Sequence, residues 1–135
     1  MVSRRKFLQT LVGLGVVSGG CLTSTPRAKL EADVIAGPNS RLSFDPEELT
    51  ITVGEQVTWY FDSIGHNVSG DPNHSEHVVI PPGGIPFTSY SGDNRFRTVP
   101  SGETYSHTPL TPGTYTYVCI PHQPEMMGTI HVEKE

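Results

Sequence analysis

Leu49-Thr50-Ile51-Thr52-Val53-Gly54-Glu55-Gln56-Val57-Thr58-Trp59-Tyr60-Phe61-Asp62 alternates apolar and polar side chains on both sides of a Gly-Glu break. Successive side chains of an extended chain point to opposite faces, so Leu49, Ile51 and Val53 share one face, and Val57, Trp59 and Phe61 share another. Two such runs around a short glycine-containing break read as a hairpin. Further along, residues 104–108 read as a strand, Pro112-Gly113 as a turn, and residues 114–119 as a strand with Tyr115, Tyr117 and Cys119 on one face. Residues 128–133 close the series with Ile130 and Val132 inward. Between Gly65 and Pro100 the pattern weakens. Asp71-Pro72-Asn73 and Pro81-Pro82-Gly83-Gly84 are loop chemistry, residues 77–80 are expected as a short edge strand, and residues 85–91 as one helical turn. No helical stripe of useful length is present, and 14 glycines and 12 prolines are spread without a period, which suits short strands joined by turns. A chain of 135 residues has room for one ordinary domain. The expectation is an all-β, two-sheet sandwich over residues 31–135.

Ahead of this domain, Ser3-Arg4-Arg5-Lys6-Phe7-Leu8 leads into Leu11-Val12-Gly13-Leu14-Gly15-Val16-Val17, followed by small residues ending at Cys21. A basic start, an apolar run and small residues are the anatomy of a signal peptide. The apolar stretch 7–20 is diluted by glycines and falls short of the roughly 20 residues that a membrane-spanning helix needs. The paired arginines resemble a twin-arginine export signal, with an ordinary signal as the alternative. Val17-Ser18-Gly19-Gly20-Cys21 resembles a lipobox, which implies a lipid anchor on Cys21; otherwise Cys21 is lost with the leader. Residues 1–21 are therefore read as leader and residues 22–30, rich in Thr, Ser and Pro, as a flexible tether. The expected location is the outer face of the cell membrane. Removing Arg4, Arg5 and Lys6 leaves six basic against fourteen acidic residues, a formal charge of −8, which argues against a nucleic-acid partner.

Without Cys21, Cys119 has no intramolecular disulfide partner in an oxidising compartment, and ligation to a metal would protect it. The segment Cys119-Ile120-Pro121-His122-Gln123-Pro124-Glu125-Met126-Met127-Gly128 places a thiol, an imidazole and a thioether within one tight loop after a strand. Soft sulfur combined with imidazole selects copper, and two histidines plus a cysteine with a weak methionine is the arrangement of blue-copper centres. His66, beside Gly65 after the strand holding Trp59 and Phe61, is the candidate for the second histidine. Either Met126 or Met127 can be the fourth donor. Parity selects Met126, because Ile130 and Val132 face the core and residues 126 and 128 share their side.

Three blocks in order, Gly65-His66-Asn67-Val68, Pro100-Ser101-Gly102-Glu103-Thr104-Tyr105, and Gly113-Thr114-Tyr115 through Cys119 to Pro121-His122-Gln123, resemble the cupredoxins, and among them the plastocyanin, halocyanin and azurin group. The resemblance covers the chain from about Leu30 onward. It implies a Greek-key sandwich holding one type 1 copper ion that cycles between Cu(II) and Cu(I), in a monomeric, non-enzymatic carrier that passes single electrons between a donor and an acceptor protein of a respiratory or photosynthetic chain. It also implies that the Asn67 backbone donates to the Cys119 sulfur, while Pro121 has no N–H to give. His122 becomes the exposed electron port, ringed by Pro38, Ile64, Pro121, Pro124 and Met127. Plastocyanins carry an exposed tyrosine before the copper cysteine; here Val118 stands there.

Other residues are assigned bland roles. His74 and His77, with Glu76 between them, read as exposed loop residues, and His107 and His131 as outward-facing strand residues. Asn73-His74-Ser75 matches a weak glycosylation acceptor, and Trp59 belongs to the core. Competing functions are a copper oxidase or nitrite reductase, disfavoured because no histidine flanks Cys119, a copper-delivery protein, and a metal-free binding sandwich.

Overall fold

The computed structural model describes residues 25–135, so the leader, the lipobox and Cys21 lie outside the described residues. Among the described residues, seven strands form two sheets. One carries the order β2 (Phe44–Asp45), β1 (Val34–Ala36), β4 (Val57–Phe61), β5 (Thr104–His107), and the other β3 (Glu48–Thr52), β7 (Met127–Glu133), β6 (Gly113–Val118). Both sheets are mixed. β1 lies parallel to β4, and β3 parallel to β7, while the remaining pairs are antiparallel.

The two halves of the opening stretch do not form a hairpin. β3 pairs with β7 in one sheet, and β4 pairs with β1 and β5 in the other. After β3 the chain crosses the edge of the sandwich, where Val53 N–H binds the Glu133 carbonyl and Gly54 N–H the Pro109 carbonyl. Alternation records which side chains face the core, and Ile51 and Trp59 face the same core from opposite sheets. β4 is the more central strand, with Val57, Trp59, Tyr60 and Phe61 all buried.

Aromatic rings fill the space between the sheets. Trp59 meets Tyr117 edge-on at 5.3 Å, stacks on Phe87 at 5.9 Å and leans on Tyr105 at 5.5 Å, and Phe44 meets Tyr117 edge-on at 4.7 Å. Each such pair is worth about 0.5–1.5 kcal/mol beyond its burial. Gly128 is required by this packing, because a Cβ there would lie 2.4 Å from the Tyr117 hydroxyl. As expected, Tyr115, Tyr117, Cys119, Ile130 and Val132 are all buried.

The long connection between β4 and β5 folds without strands or helices. It is fastened by bridges of His66 to Val99 and of Ser69 to both Thr88 and Val118, and it sends Phe87 into the core. Neither the edge strand at 77–80 nor the helical turn at 85–91 forms. Val79 still exchanges bonds with Thr116, through its carbonyl to the Thr116 N–H and its N–H to the Thr116 hydroxyl, but the proline pair that follows stops the ladder. Near the start of the described chain, Arg27–Glu31 is a short helix, α1, that runs from the stretch read as flexible tether into the domain, and Lys29 on it pairs with Asp62 at 3.0 Å.

His107 also departs from expectation. Its register opposite Val57, two residues from the Trp59–Tyr105 pair, turns it inward, where its ring stacks on Phe87 at 4.5 Å. Its Nε2 is buried without a hydrogen-bond partner among the described residues, and burial lowers its pKa. His131, opposite Thr114 on β7, stays partly exposed near Glu48.

Candidate metal centre

Cys119 directly follows β6, and the next residues tighten into a 3-10 turn, Ile120–His122, with Pro121 in its first turn. The loop closes on itself. His122 N–H binds the Cys119 carbonyl, Met126 N–H the His122 carbonyl, and Cys119 N–H the Met126 carbonyl. This folds residues 119–126 into a small knot from which three donor side chains emerge. His66 arrives from the other sheet, just beyond β4, and its carbonyl accepts from Val99 N–H.

The donors converge. His66 Nδ1 lies 3.9 Å and His122 Nδ1 3.4 Å from Cys119 Sγ, and the three donor atoms lie within 4.8 Å of one another. They form the only group of three or more His, Cys, Asp or Glu donors of this kind among the described residues. Cys119 and Met126 are fully buried and His66 nearly so, while His122 keeps part of its surface in solvent. Met127, by contrast, packs outside this group against the Val78–Tyr90–Val118–Ile120 cluster. The parity argument that selects Met126 thus agrees with its burial beside Cys119.

Hydrogen bonding fixes which nitrogen of His66 is available. Ser63 Oγ donates its single hydrogen to the Gly37 carbonyl at 2.8 Å, so its 2.9 Å contact with His66 Nε2 must be one in which the ring donates. Nε2 therefore carries the proton and Nδ1, facing Cys119, keeps its lone pair. Gly37 makes room for this arrangement: its φ is +69°, and a Cβ there would fall 2.4 Å from His66 Nε2. Ser63 and Gly37 belong to no motif, and nothing in their sequence surroundings points to them; only the fold brings them to His66.

Asn67 has a larger role than one backbone donor. Its side chain is fully buried, its Oδ1 accepts from Ile120 N–H at 2.9 Å, and its Nδ2 donates to the carbonyls of Arg95 and Arg97, each at 2.9 Å. Burial raises the pKa of the Cys119 thiol, opposed by the backbone N–H groups of Asn67 and His122 aimed at the sulfur. Burial, and then the charge of His122, lower the pKa of His66. A neutral imidazole is what a metal needs, and a bound cation reverses the penalty on the thiolate. Two imidazoles, one thiolate and one thioether in a preformed, largely dry cluster fit copper.

The loop histidines do not add a second centre. His74 is mostly buried rather than exposed, with Nδ1 2.6 Å from the Tyr90 hydroxyl and Nε2 3.2 Å from Asp93, which ties down the 71–77 loop. His77 stays partly exposed beside Glu76, and Ser75 binds Gln123 of the metal loop through their side chains.

Comparison with known proteins agrees with this chemistry. A family described as copper binding proteins, plastocyanin/azurin family, matches residues 31–133. The plastocyanin of Scenedesmus fuscus is 36% identical over 107 residues, covering 78% of this chain and 96% of that protein. The chloroplastic plastocyanin of Solanum lycopersicum is 31% identical over 101 residues, covering 73% of this chain but only 56% of the tomato protein, so this chain spans little more than half of that relative. Among solved structures, a purple cupredoxin from Nitrosopumilus maritimus superposes with a TM-score of 0.54 at 28% identity, covering 76% of this chain and 99% of that one. A sandwich that gathers two histidines, a cysteine and a buried methionine at one end, matched along nearly the whole described length, places the chain in the plastocyanin/azurin family of copper-binding proteins.

Proposed function

We propose that this chain is a one-electron carrier, exported by the paired-arginine leader and held at the outer membrane face through a lipid on Cys21, with copper held by His66, Cys119, His122 and Met126. When bound there, copper supplies the Cu(II)/Cu(I) couple. The observation that carries the reading is the approach of His66 and Cys119, separated by 53 positions in the chain, to within 3.9 Å across two sheets. Ligands delivered by strand ends and by a loop closed on its own hydrogen bonds keep their places when charge at the site changes, so little rearrangement accompanies a transfer. Pro121, lacking an N–H, leaves the sulfur to the backbone donors of Asn67 and His122. His122, the donor with an open edge, conducts electrons to a partner seated on Ile64, Pro121 and Pro124; Ile64 alone leaves 78% of its surface in solvent. A delivery protein needs donors open to an incoming carrier, and the full burial of Cys119 and Met126 disfavours that role.

The test is an absorption spectrum of the copper-loaded protein. An intense visible thiolate-to-copper band that disappears and returns with one-electron reduction and oxidation is expected, and its absence would sink the reading. For the anchor, mass spectrometry of the membrane fraction should find a lipidated N-terminal cysteine, lost in Cys21→Ser, which should release the protein.

A further inference from the structure

Beside the metal centre the chain displays a short basic and aromatic segment. Every residue from 91 to 98 is exposed, and Phe96 leaves 70% of its surface in solvent. Arg95 and Arg97 flank it, and neither forms an ion pair with a described residue. The segment is nevertheless held firmly. Arg95 N–H binds the Asp93 carbonyl at 2.7 Å, Arg97 N–H binds the Asn94 carbonyl at 2.9 Å, and the carbonyls of both arginines accept from buried Asn67. Asn67 follows His66 directly and also holds Ile120 of the metal loop. One side chain therefore fixes the segment to both halves of the site.

We propose that Arg95-Phe96-Arg97 is the docking element for an acidic protein partner, with Phe96 seated in an apolar depression and the two guanidiniums paired with carboxylates around it. The proposal rests on the electron-carrier reading and names the partner's character. Its warrant is charge: residues 31–135 carry fourteen acidic residues against four basic ones, and two of those four flank Phe96 next to the site without an ion pair to a described residue. On so acidic a body a local basic spot orients an acidic partner toward itself and repels it elsewhere. Arginine and aromatic residues are also the types enriched where protein interfaces are driest. A bilayer is the weaker occupant, because Asp93, with 97% of its side chain exposed, would meet anionic headgroups beside Arg95, whereas a protein can place its carboxylates around it.

The copper-loaded, reduced protein is mixed with hexacyanoferrate(III) or with tris(phenanthroline)cobalt(III); one electron passes from Cu(I) to the reagent, giving Cu(II) and iron(II) or cobalt(II). Arg95→Gln/Arg97→Gln is expected to slow the anionic reagent about threefold or more at low ionic strength, to leave the cationic one unslowed, and to lose its effect in high salt. Arg97→Gln should exceed Lys134→Gln, which removes the same charge beyond the far end of β7. Titration of poly-L-glutamate into the wild-type protein, followed by amide NMR, should move residues 94–98, and Phe96→Ala should weaken that binding with little change in its salt dependence. If both reagents oxidise the protein normally and the arginine variant matches Lys134→Gln, the docking proposal fails while the carrier reading stands. If neither reagent takes an electron, the carrier reading fails first. Binding to phosphatidylglycerol vesicles without binding to polyglutamate would overturn the proposal in favour of a membrane surface.

Discussion

Removing the Ser63 hydroxyl frees His66 to carry its proton on either nitrogen, although no atom of the metal loop is touched. Ser63→Ala is therefore expected to weaken copper binding about 10- to 100-fold, as lost partners of ligating histidines generally do. Nitrogen NMR of the metal-free protein should find the Nε2-protonated ring in the wild type and a tautomer mixture in the variant. An unchanged ring would remove Ser63 from the account. Met126 and Met127 give a second contrast at this scale. Met126→Leu removes a donor buried beside Cys119 and should raise the reduction potential, since the weak thioether tunes the couple, while Met127→Leu should leave it unmoved. Cyclic voltammetry of the two variants decides, and the opposite pattern would make Met127 the donor. The metal-binding residues were legible in the sequence because their chemistry is soft, rare and close together, whereas a serine three residues before a histidine carries no such signal.

At the scale of elements, Asn67 joins three segments that share no regular ladder. Asn67→Ala breaks its hydrogen bonds to Ile120, Arg95 and Arg97 and leaves buried polar groups without partners, so the metal-free protein should lose about 2–4 kcal/mol in urea unfolding. A loss within error would mean that water replaces the side chain. β5 carries the reverse case. His107→Phe keeps a ring against Phe87 and removes the unpartnered Nε2, so it should stabilise the fold by about 1 kcal/mol. The half-buried imidazole has a lowered folded pKa, so its neutral form contributes stability fully above the unfolded value of about 6.5, lost as pH falls toward the folded one. Stability of the metal-free variant should accordingly fall less steeply below about pH 6.5 than that of the wild type. The inward turn of His107 was hidden because a histidine alternating with serine and tyrosine fits either face. The false hairpin has a related cause: alternation fixes a strand's buried face but not its neighbours, and the parallel pairings of β1 with β4 and β3 with β7 join segments far apart in sequence.

Across the whole molecule the acidic excess is a distributed load. Only Arg27–Glu31 and Lys29–Asp62 join lysine or arginine to a carboxylate among the described residues, and Arg27–Glu31 lies at the surface of α1. Most carboxylates are thus left to repel one another through solvent, an energy that compaction raises and dissolved salt screens. The layered core was readable from apolar periodicity, but this balance of charge in space was not, because a formal charge gives no distances. Lys29–Asp62 adds a pH limit. Asp62 accepts from the Asn39 backbone N–H and pairs with Lys29, which together hold its pKa below the usual carboxylate value, so its contribution is present above about pH 4 and disappears as acid protonates it. At neutral pH the repulsion remains, and urea, being uncharged, allows salt to be varied freely. Raising sodium chloride from about 0.05 M to about 1 M, where the Debye length shrinks to about 3 Å, should move the urea midpoint upward without changing the slope of the transition. A midpoint that stays fixed or falls would mean that the carboxylates are spaced widely enough not to strain the fold.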